Sequence, residues 1–167
     1  MGKPVGMVTG FIGIGSNVGT RESFVRRAVD ELDSTEGITV TGRSSLYETS
    51  PIGGPPQRSF INAVVRVETT LPARALYDAC KRIERRIGRE PSELRWGPRV
   101  VDLDLLLHGD EKIVEPDLEI PHPRMGERRF VLVPLLEVEP DVRDPWGSPY
   151  ADLLDEAEGT AERVGAL

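Results

Sequence analysis

Two aspartates two positions apart, Asp102 and Asp104, are the residues whose type and spacing point most directly to chemistry. They follow the segment Trp-Gly-Pro-Arg at 96–99 and precede three leucines at 105–107. Side chains alternate faces along a strand, so both carboxylates would point the same way and repel each other unless a hard cation lies between them. Mg²⁺ prefers oxygen ligands and usually takes one or two carboxylates together with substrate phosphates, and the guanidinium of Arg99 suits phosphate oxygens. The motif therefore predicts metal-assisted phosphoryl chemistry.

The overall composition limits the classes of function. The chain has 167 residues, the size of one domain, and we predict a single domain over residues 1–167. Its 28 acidic and 21 basic residues give a net charge of −7, which argues against nucleic-acid binding through phosphates. One cysteine cannot form an intrachain disulfide or a multi-cysteine zinc site. The chain lacks an apolar run of membrane-spanning length and a secretory pattern in residues 1–9, and its single cysteine is compatible with the cytoplasm, so we expect a cytoplasmic protein with no membrane partner. We also expect a monomer.

The elements that would position the two aspartates follow from hydrophobic periodicity. The pattern predicts a strand at 8–16, a helix at 21–32, strands at 38–47 and 60–68, a helix at 72–87 and a strand at 100–107. This order is typical of a ferredoxin-like α+β fold, an antiparallel sheet with helices packed on one face. The carboxylates would then lie on the face away from the helices, or at the end of their strand.

C-terminal additions are expected after this unit. A short hairpin is predicted near 112–114, and helices are predicted at 130–137 and 151–158. Residues 1–7 and 159–167 are expected to be loosely ordered.

A glycine-rich segment follows the first predicted strand. Residues 13–19 read Gly-x-Gly-x-x-x-Gly, one residue too long for the dinucleotide fingerprint, and no Walker-type Gly-Lys-Ser/Thr occurs. We interpret these glycines as allowing tight turning or packing around the strand. A phosphate-bearing ligand would then be held by side chains and metal.

Several motifs together resemble one known family. They are Phe-Ile-Gly-Ile-Gly-Ser-Asn at 11–17, Tyr-Glu-Thr-Ser-Pro-Ile-Gly at 47–53 with Phe-Ile-Asn-Ala at 60–63, Arg-Ile-Glu at 82–84 with Gly-Arg at 88–89, Arg-Trp-Gly-Pro-Arg at 95–99, Asp-Leu-Asp at 102–104, Pro-His-Pro-Arg at 121–124 and Arg-Arg-Phe at 128–130. In order and spacing, residues 8–145 are similar to the 6-hydroxymethyl-7,8-dihydropterin pyrophosphokinase family. Ser50 and Pro123 depart from one common version of its pattern, which affects local ligand contacts.

The resemblance implies an enzyme of folate synthesis. The family uses ATP and magnesium to pyrophosphorylate the hydroxymethyl group of a reduced pterin, and it releases AMP. By resemblance, Asp102 and Asp104 hold two Mg²⁺ ions against the triphosphate, and Arg89 and Arg99 act with them as catalytic residues. The arginine-rich stretch 89–99 is expected to act as a lid that excludes water.

The same resemblance assigns residues to the two substrates. The predicted pterin contacts are Thr49, Ser50, Ile52, Gly53, Phe60, Asn62, Trp96 and Phe130. The predicted ATP contacts are Lys81, Glu84, Arg95, Trp96, Arg99, Leu105, His122 and Arg128. Glu84 is expected to position Arg89 or a nearby backbone group. His122 is expected to contact a nucleotide phosphate, whereas His108 is interpreted as structural.

Other functions are compatible with parts of this pattern. Two aspartates two apart also occur in metal-dependent phosphodiesterases, although such sites often add further Asp, Glu or His ligands. A ferredoxin-like regulatory module that binds a ligand without chemistry is the third possibility. Separately, Phe60 and Phe130 could pack in the core instead of contacting a ligand. Incubation with ATP, Mg²⁺ and the pterin distinguishes the three through AMP release, hydrolysis by water, or no reaction.

Overall fold

The computed structural model describes residues 6–49, 59–88 and 100–167. Seven of the predicted site residues lie outside these ranges, and their roles stay predictions. They are Ser50, Ile52, Gly53, Arg89, Arg95, Trp96 and Arg99.

A six-stranded antiparallel sheet forms the centre of the described part of the chain. Its strands are β1 (Val8–Ser16), β2 (Ile38–Arg43), β3 (Ser45–Thr49), β4 (Phe60–Thr69), β5 (Asp102–His108) and β8 (Glu162–Ala166), and a separate hairpin joins β6 (Ile113–Glu115) to β7 (Leu118–Ile120). The order across the sheet is β5-β1-β4-β3-β8, and β2 also pairs with β4. The ferredoxin-like fold predicted from the order of elements is confirmed.

Two amphipathic helices cover one face of the sheet. Helix α1 (Arg21–Asp33) buries Val25, Ala28, Val29 and Leu32, the stripe that a period of 3.6 residues predicts. Helix α2 (Ala73–Gly88) buries a parallel stripe that includes Leu76 and Cys80. Both helices pack on alternate residues of the strands, such as Ile12 and Leu103, and this is the main hydrophobic core.

The opposite face carries a second, smaller core. Helix α3 (Arg129–Val138) packs there through Leu132 and Leu135, against Phe11, Val64 and Leu106 of the sheet. The predicted helix at 130–137 is therefore confirmed as one of the C-terminal additions. The helix predicted at 151–158 is instead a 3₁₀ helix, Tyr150–Glu156, whose Tyr150 and Leu154 join this second core.

The strand predicted at 38–47 is two strands, β2 and β3, separated at Ser44. Arg43 lies opposite Val65, and Tyr47 lies opposite Asn62. The segment from 43 to 47 therefore has one residue more than the segment of β4 that it faces. At the break, Ser44 donates its backbone N–H to Val64 O at 2.9 Å and accepts the Val64 N–H on its hydroxyl at 2.9 Å. The break is a β-bulge, which hydrophobic alternation does not reveal.

The expectation that residues 159–167 are loosely ordered is wrong. Within this range β8 pairs antiparallel with β3 and completes the sheet edge. Its side chains are mostly exposed, so the order comes from backbone pairing and from two arginine contacts rather than from apolar burial. Arg163 Nε donates to Ser45 Oγ at 2.9 Å, and Arg26 Nη2 donates to Ala166 O at 2.7 Å. In the ranges that the structure describes, no helix is long and apolar enough to cross a membrane.

Candidate active site

The carboxylates of Asp102 and Asp104 project from the face of the sheet away from α1 and α2, as predicted. They lie opposite Gly15 and Gly13 of β1, whereas Leu103 between them points into the main core. Asp102 is half-buried and Asp104 is exposed. Strand alternation thus places two carboxylate groups side by side above a buried leucine, where a bound cation would relieve their repulsion.

A cavity of about 720 Å³ opens above the two aspartates. The predicted pterin residues that lie within the described ranges all line it. They are Thr49, Phe60, Asn62 and Phe130, and Arg128 of the predicted ATP set lines it as well. The cavity has the volume expected for a small heterocyclic ligand and combines aromatic walls with a few polar groups.

Asn62 and Thr49 form a buried polar pair in this cavity. The Asn62 Nδ2 donates to Thr49 Oγ1 at 2.7 Å, and Thr49 stands opposite Phe60 in the register of β3 and β4. A Cβ built on Gly15 would lie only 2.5 Å from Asn62 Oδ1. Glycine at position 15 therefore makes room for the Asn62 amide, in agreement with the packing interpretation of the glycine-rich segment.

Arg128 stands at the mouth of the cavity beside Phe130. Its Cζ lies 5.5 Å from the centroid of the Phe130 ring. Burial and the neighbouring Arg124 lower the pKa of the Arg128 guanidinium from its ordinary value, although Asp104 and Glu127 act in the opposite sense. Both lowering effects would be relieved by an anion, so this position suits a phosphate.

A second cavity, of about 330 Å³, lies on the other side of Asp104. Lys81, Leu105 and His122 of the predicted ATP set line it, and so does Pro123. Asp104 borders both cavities, because β5 is an edge strand of the sheet and Asp104 is its exposed residue. Ligands in the two cavities would therefore meet at the carboxylate pair.

The His122 ring is held by its own turn. Its backbone N–H donates to Leu106 O at 3.0 Å, and its Nδ1 accepts the Arg124 N–H at 3.3 Å. Burial lowers the pKa of the His122 imidazole, and Arg128 lowers it further, whereas Asp104 acts in the opposite sense. With Nδ1 as an acceptor the neutral ring carries its proton on Nε2, which makes His122 a hydrogen-bond donor for a ligand.

Glu84 binds the backbone of the strand that carries the two aspartates. Its Oε2 accepts the Leu103 N–H at 2.6 Å and the Lys81 Nζ at 3.0 Å, and Lys81 Nζ also reaches Leu103 O at 3.2 Å. Glu84 is not among the described residues that line the two cavities, so its place in the predicted ATP set is indirect. It holds the backbone between Asp102 and Asp104, in line with the expectation that it positions a nearby backbone group.

His108 is structural, as interpreted from the sequence. The residue is 2% exposed. The Nδ1 lies 2.9 Å from Glu111 Oε2, and the Nε2 lies 2.9 Å from Leu71 O.

The C-terminal part of the chain contributes cavity residues that sequence reasoning missed. Leu153, Glu156 and Glu158 line the larger cavity. The segment is tied to the start of α3, because Arg129 N donates to Glu158 O at 2.9 Å and Glu158 N donates to Glu127 O at 2.8 Å. No motif marks these residues, since exposed acidic side chains are typical of any solvated surface.

Comparison with known proteins identifies the family. A family model described as 7,8-dihydro-6-hydroxymethylpterin-pyrophosphokinase (HPPK) matches residues 11–140. The 2-amino-4-hydroxy-6-hydroxymethyldihydropteridine pyrophosphokinase of Bacillus subtilis is 46% identical over 128 residues, 77% of this chain and 76% of the relative. The protein of the same name from Methylorubrum extorquens is 41% identical over 136 residues, 81% of this chain and 85% of the relative.

Longer proteins also contain a similar region. The folate synthesis bifunctional protein of Arabidopsis thaliana is 45% identical over 127 residues, 76% of this chain but 26% of that protein. The crystal structure of Plasmodium falciparum HPPK-DHPS with pteroate has a TM-score of 0.70 and 13% identity, covering 93% of this chain and 43% of that one. At this identity the structural match shows a shared fold. The family model and the curated relatives together establish that the chain belongs to the 7,8-dihydro-6-hydroxymethylpterin-pyrophosphokinase family.

Proposed function

We propose that the chain transfers the pyrophosphoryl group of ATP to the hydroxymethyl group of 6-hydroxymethyl-7,8-dihydropterin, a step of folate biosynthesis. The products are AMP and the pterin diphosphate. One observation carries the proposal: Asp104 borders both a cavity lined by the predicted pterin residues and a second cavity lined by predicted ATP residues. This arrangement would bring two substrates together at the carboxylate pair. Because both cavities are lined by residues of a single chain, we propose that a monomer is sufficient.

The larger cavity has groups that suit a pterin. The ring is planar, apolar on its faces and polar along its edge, so it needs flat walls and a few hydrogen-bonding groups. Phe130 and Phe60 supply aromatic walls, and the Asn62 amide and Thr49 hydroxyl supply donors and acceptors. Their mutual hydrogen bond orients both groups before the ligand arrives, which lowers the entropy cost of binding.

The smaller cavity has groups that suit a nucleotide. Leu105 and Leu118 supply an apolar wall, and Lys81 and His122 supply donors for phosphate oxygens. We assign the guanidinium of Arg128, which lines the larger cavity, to the transferring phosphates. Arg89, Arg95 and Arg99, together with Trp96, are predicted further contacts outside the described residues.

The carboxylate pair fits the expected magnesium. Aspartate oxygens are the hard ligands that Mg²⁺ prefers, and two of them on one strand face leave positions for water and phosphate. When bound, Mg²⁺ would neutralise phosphate charge and assist the loss of the hydroxyl proton. Asp102 and Asp104 would hold it, and Glu84 would keep the strand between them in place. In the described ranges no group of three or more His, Cys, Asp or Glu side chains is placed to hold a metal ion. Substrate phosphates and water would supply the other ligands of a metal held by the two aspartates.

The chain's own residues then have distinct tasks in the transfer. A bond forms between the pterin hydroxymethyl oxygen and the β-phosphorus of ATP, while the bond from that phosphorus to the oxygen shared with the α-phosphate breaks. AMP leaves with that oxygen, and the hydroxyl proton passes to solvent. Phe130, Asn62 and Thr49 orient the hydroxymethyl group toward the carboxylates. Arg128 and Lys81 offset charge that builds on phosphate oxygens, and such preorganised contacts contribute mainly in the transition state.

The test is an incubation of the protein with ATP, Mg²⁺ and the dihydropterin, followed by separation of the nucleotides. AMP released only when the pterin is present, in equal amount with pterin diphosphate, supports the proposal. Nucleotide hydrolysis that does not need the pterin would indicate a metal-dependent phosphodiesterase instead, and ligand binding without turnover would indicate a binding module. Removal of divalent metal with EDTA should stop AMP release, and added Mg²⁺ should restore it.

A further inference from the structure

Arg21 occupies an unusual position for a cation. It is the first residue of α1, where the partial positive charge of the helix N-terminus disfavours a guanidinium. Its side chain nevertheless turns toward the sheet and is only 13% exposed. A guanidinium that is largely buried at a helix N-terminus, where the helix dipole disfavours its charge, must be stabilised by specific partners.

One partner lies in β3, and the other immediately precedes β4. Arg21 Nη1 donates to Ser59 O at 2.9 Å and to Ser59 Oγ at 3.0 Å. The same nitrogen lies 3.1 Å from Glu48 Oε2. A single guanidinium nitrogen thus joins the end of β3 to the residue that precedes β4.

These two partners flank the larger cavity. Glu48 is followed by Thr49, and Ser59 is followed by Phe60, and Thr49 and Phe60 stand opposite each other in the register of β3 and β4. Both line the cavity, and Thr49 also accepts the hydrogen bond from Asn62. The chain between them, residues 50–58, contains the predicted pterin contacts Ser50, Ile52 and Gly53. Arg21 itself is not among the described residues that line the cavity.

We infer that Arg21 is a positioning residue for the pterin. By holding Glu48 and Ser59 together it sets the spacing at which Thr49, Phe60 and Asn62 meet the ligand. The inference rests on the proposed function, because it names a residue that shapes the pterin side of that site. Small displacements of substrate-positioning groups have large effects on binding and rate.

The test compares Arg21→Met with wild type in two separate titrations. The first measures the Kd of 6-hydroxymethyl-7,8-dihydropterin in the presence of Mg²⁺ and saturating α,β-methylene ATP, and the second measures the Kd of α,β-methylene ATP with Mg²⁺ alone. We expect the pterin Kd to rise about tenfold and the nucleotide Kd to stay within about twofold. Arg21→Lys, whose ammonium keeps the charge on a shorter side chain, should give an intermediate pterin Kd.

Two further variants sharpen the comparison. Arg26→Met removes an arginine of the same helix that also donates to a backbone carbonyl, Ala166 O at 2.7 Å, and it should leave both dissociation constants unchanged. Glu48→Gln keeps the size of a side chain that is 41% exposed, so it should not endanger folding. It should raise the pterin Kd less than Arg21→Met does, and the effects of the two changes should not add in the double variant.

A pterin Kd of Arg21→Met within about twofold of wild type, with an active wild type, would overturn the positioning role while leaving the proposed function intact. An equal rise in both dissociation constants, accompanied by a lower melting temperature, would also overturn it, because that pattern indicates general loosening. A wild type that releases no AMP with the pterin would overturn the proposed function and this inference together.

Discussion

At the scale of single residues, Asp104 is expected to matter most for the reaction, because it borders both cavities. We expect Asp104→Ala, and likewise Asp102→Ala, to lower the rate of AMP release by at least about 10³-fold, because the loss of a metal ligand removes several kcal/mol of transition-state stabilisation. The melting temperature of metal-free Asp104→Ala should not fall, since one of two neighbouring like charges is removed. Thermal melts and the AMP assay measure the two effects.

Asp110→Ala is the matched control for this prediction. Asp110 is an exposed carboxylate in the turn that follows β5, and its removal should change neither rate nor stability. Near wild-type turnover of Asp104→Ala would contradict the assignment of the carboxylate pair to metal and phosphate.

The addition of one methyl group at Gly15 should weaken the productive binding of the pterin. The added methyl group of Gly15→Ala would lie 2.5 Å from Asn62 Oδ1, and Asn62 cannot move freely because its Nδ2 is bonded to Thr49. We expect the KM for the pterin to rise about tenfold, with a stability loss of about 1–3 kcal/mol from overpacking. Steady-state kinetics with the pterin as the varied substrate provides the measurement. In Gly165→Ala the new methyl group meets open space, so that variant should behave as wild type; a normal pterin KM in Gly15→Ala would show that the Asn62 amide does not orient the ligand.

At the scale of elements, one carboxylate joins α3 to β3. Glu137 Oε1 accepts the Ser45 N–H at 2.7 Å and the Tyr47 Oη–H at 2.8 Å, and its Oε2 accepts the Ser45 hydroxyl at 2.7 Å. Burial alone would raise the pKa of Glu137, but the hydrogen bonds from Ser45 and Tyr47 outweigh it and lower the pKa below its ordinary value of 4.5. Burial and the Glu137 contact raise the pKa of the Tyr47 phenol to about 12.

The lowered pKa sets the sign of a pH dependence. A carboxylate with a folded-state pKa below its unfolded value stabilises the fold above the unfolded value, and that contribution is lost as the pH falls through the folded-state pKa. We expect Glu137→Gln to lower the free energy of unfolding by about 1 kcal/mol at pH 7, a modest value because the side chain is exposed and solvent screens it. The difference from wild type should shrink as the pH falls below 4.5, the ordinary value.

Urea unfolding at pH 7 and at pH 3 would measure this difference. Glu36→Gln changes an exposed carboxylate in the turn after α1 and should have little effect at either pH. An equal loss of stability in Glu137→Gln at both pH values would show that the charge of Glu137 does not hold α3 against β3.

The elements also show what periodicity can predict. Strand β1 and helices α1 and α2 have strong apolar patterns, and their positions follow from the sequence because each pattern is local. The break at Ser44 and the pairing of β8 with β3 depend on partners distant in sequence, so no local signal marks them. In the site, the family resemblance assigned Asn62 and Phe130 to the pterin and Asp104 to the metal, and all three line the larger cavity. Leu153 and Glu156 were missed because only the packing of the 3₁₀ helix brings them to the cavity.

At the scale of the whole molecule, the sheet separates the main core from the pterin side of the site. Leu32 of α1 is fully buried in the core on the far face. We expect Leu32→Ala to lower the free energy of unfolding by about 2–5 kcal/mol through lost burial and a residual cavity. At a temperature where the variant is still folded, its pterin KM should stay within about twofold of wild type. Urea unfolding and kinetics at low temperature test both statements, and a large rise in KM would show that the two faces are coupled.

Cys80 lies in that same core, and burial raises the pKa of its thiol to about 12. Since it is the only cysteine of the chain, the folded protein should be silent toward maleimide reagents, whereas the urea-unfolded protein should take up one label. The native sequence is thus a ready background for attaching a single fluorophore. A cysteine introduced at Leu153, which is 44% exposed on the cavity wall, would carry the dye next to the bound pterin. Its emission would report occupancy in real time, and any second label per chain would count the molecules that have unfolded.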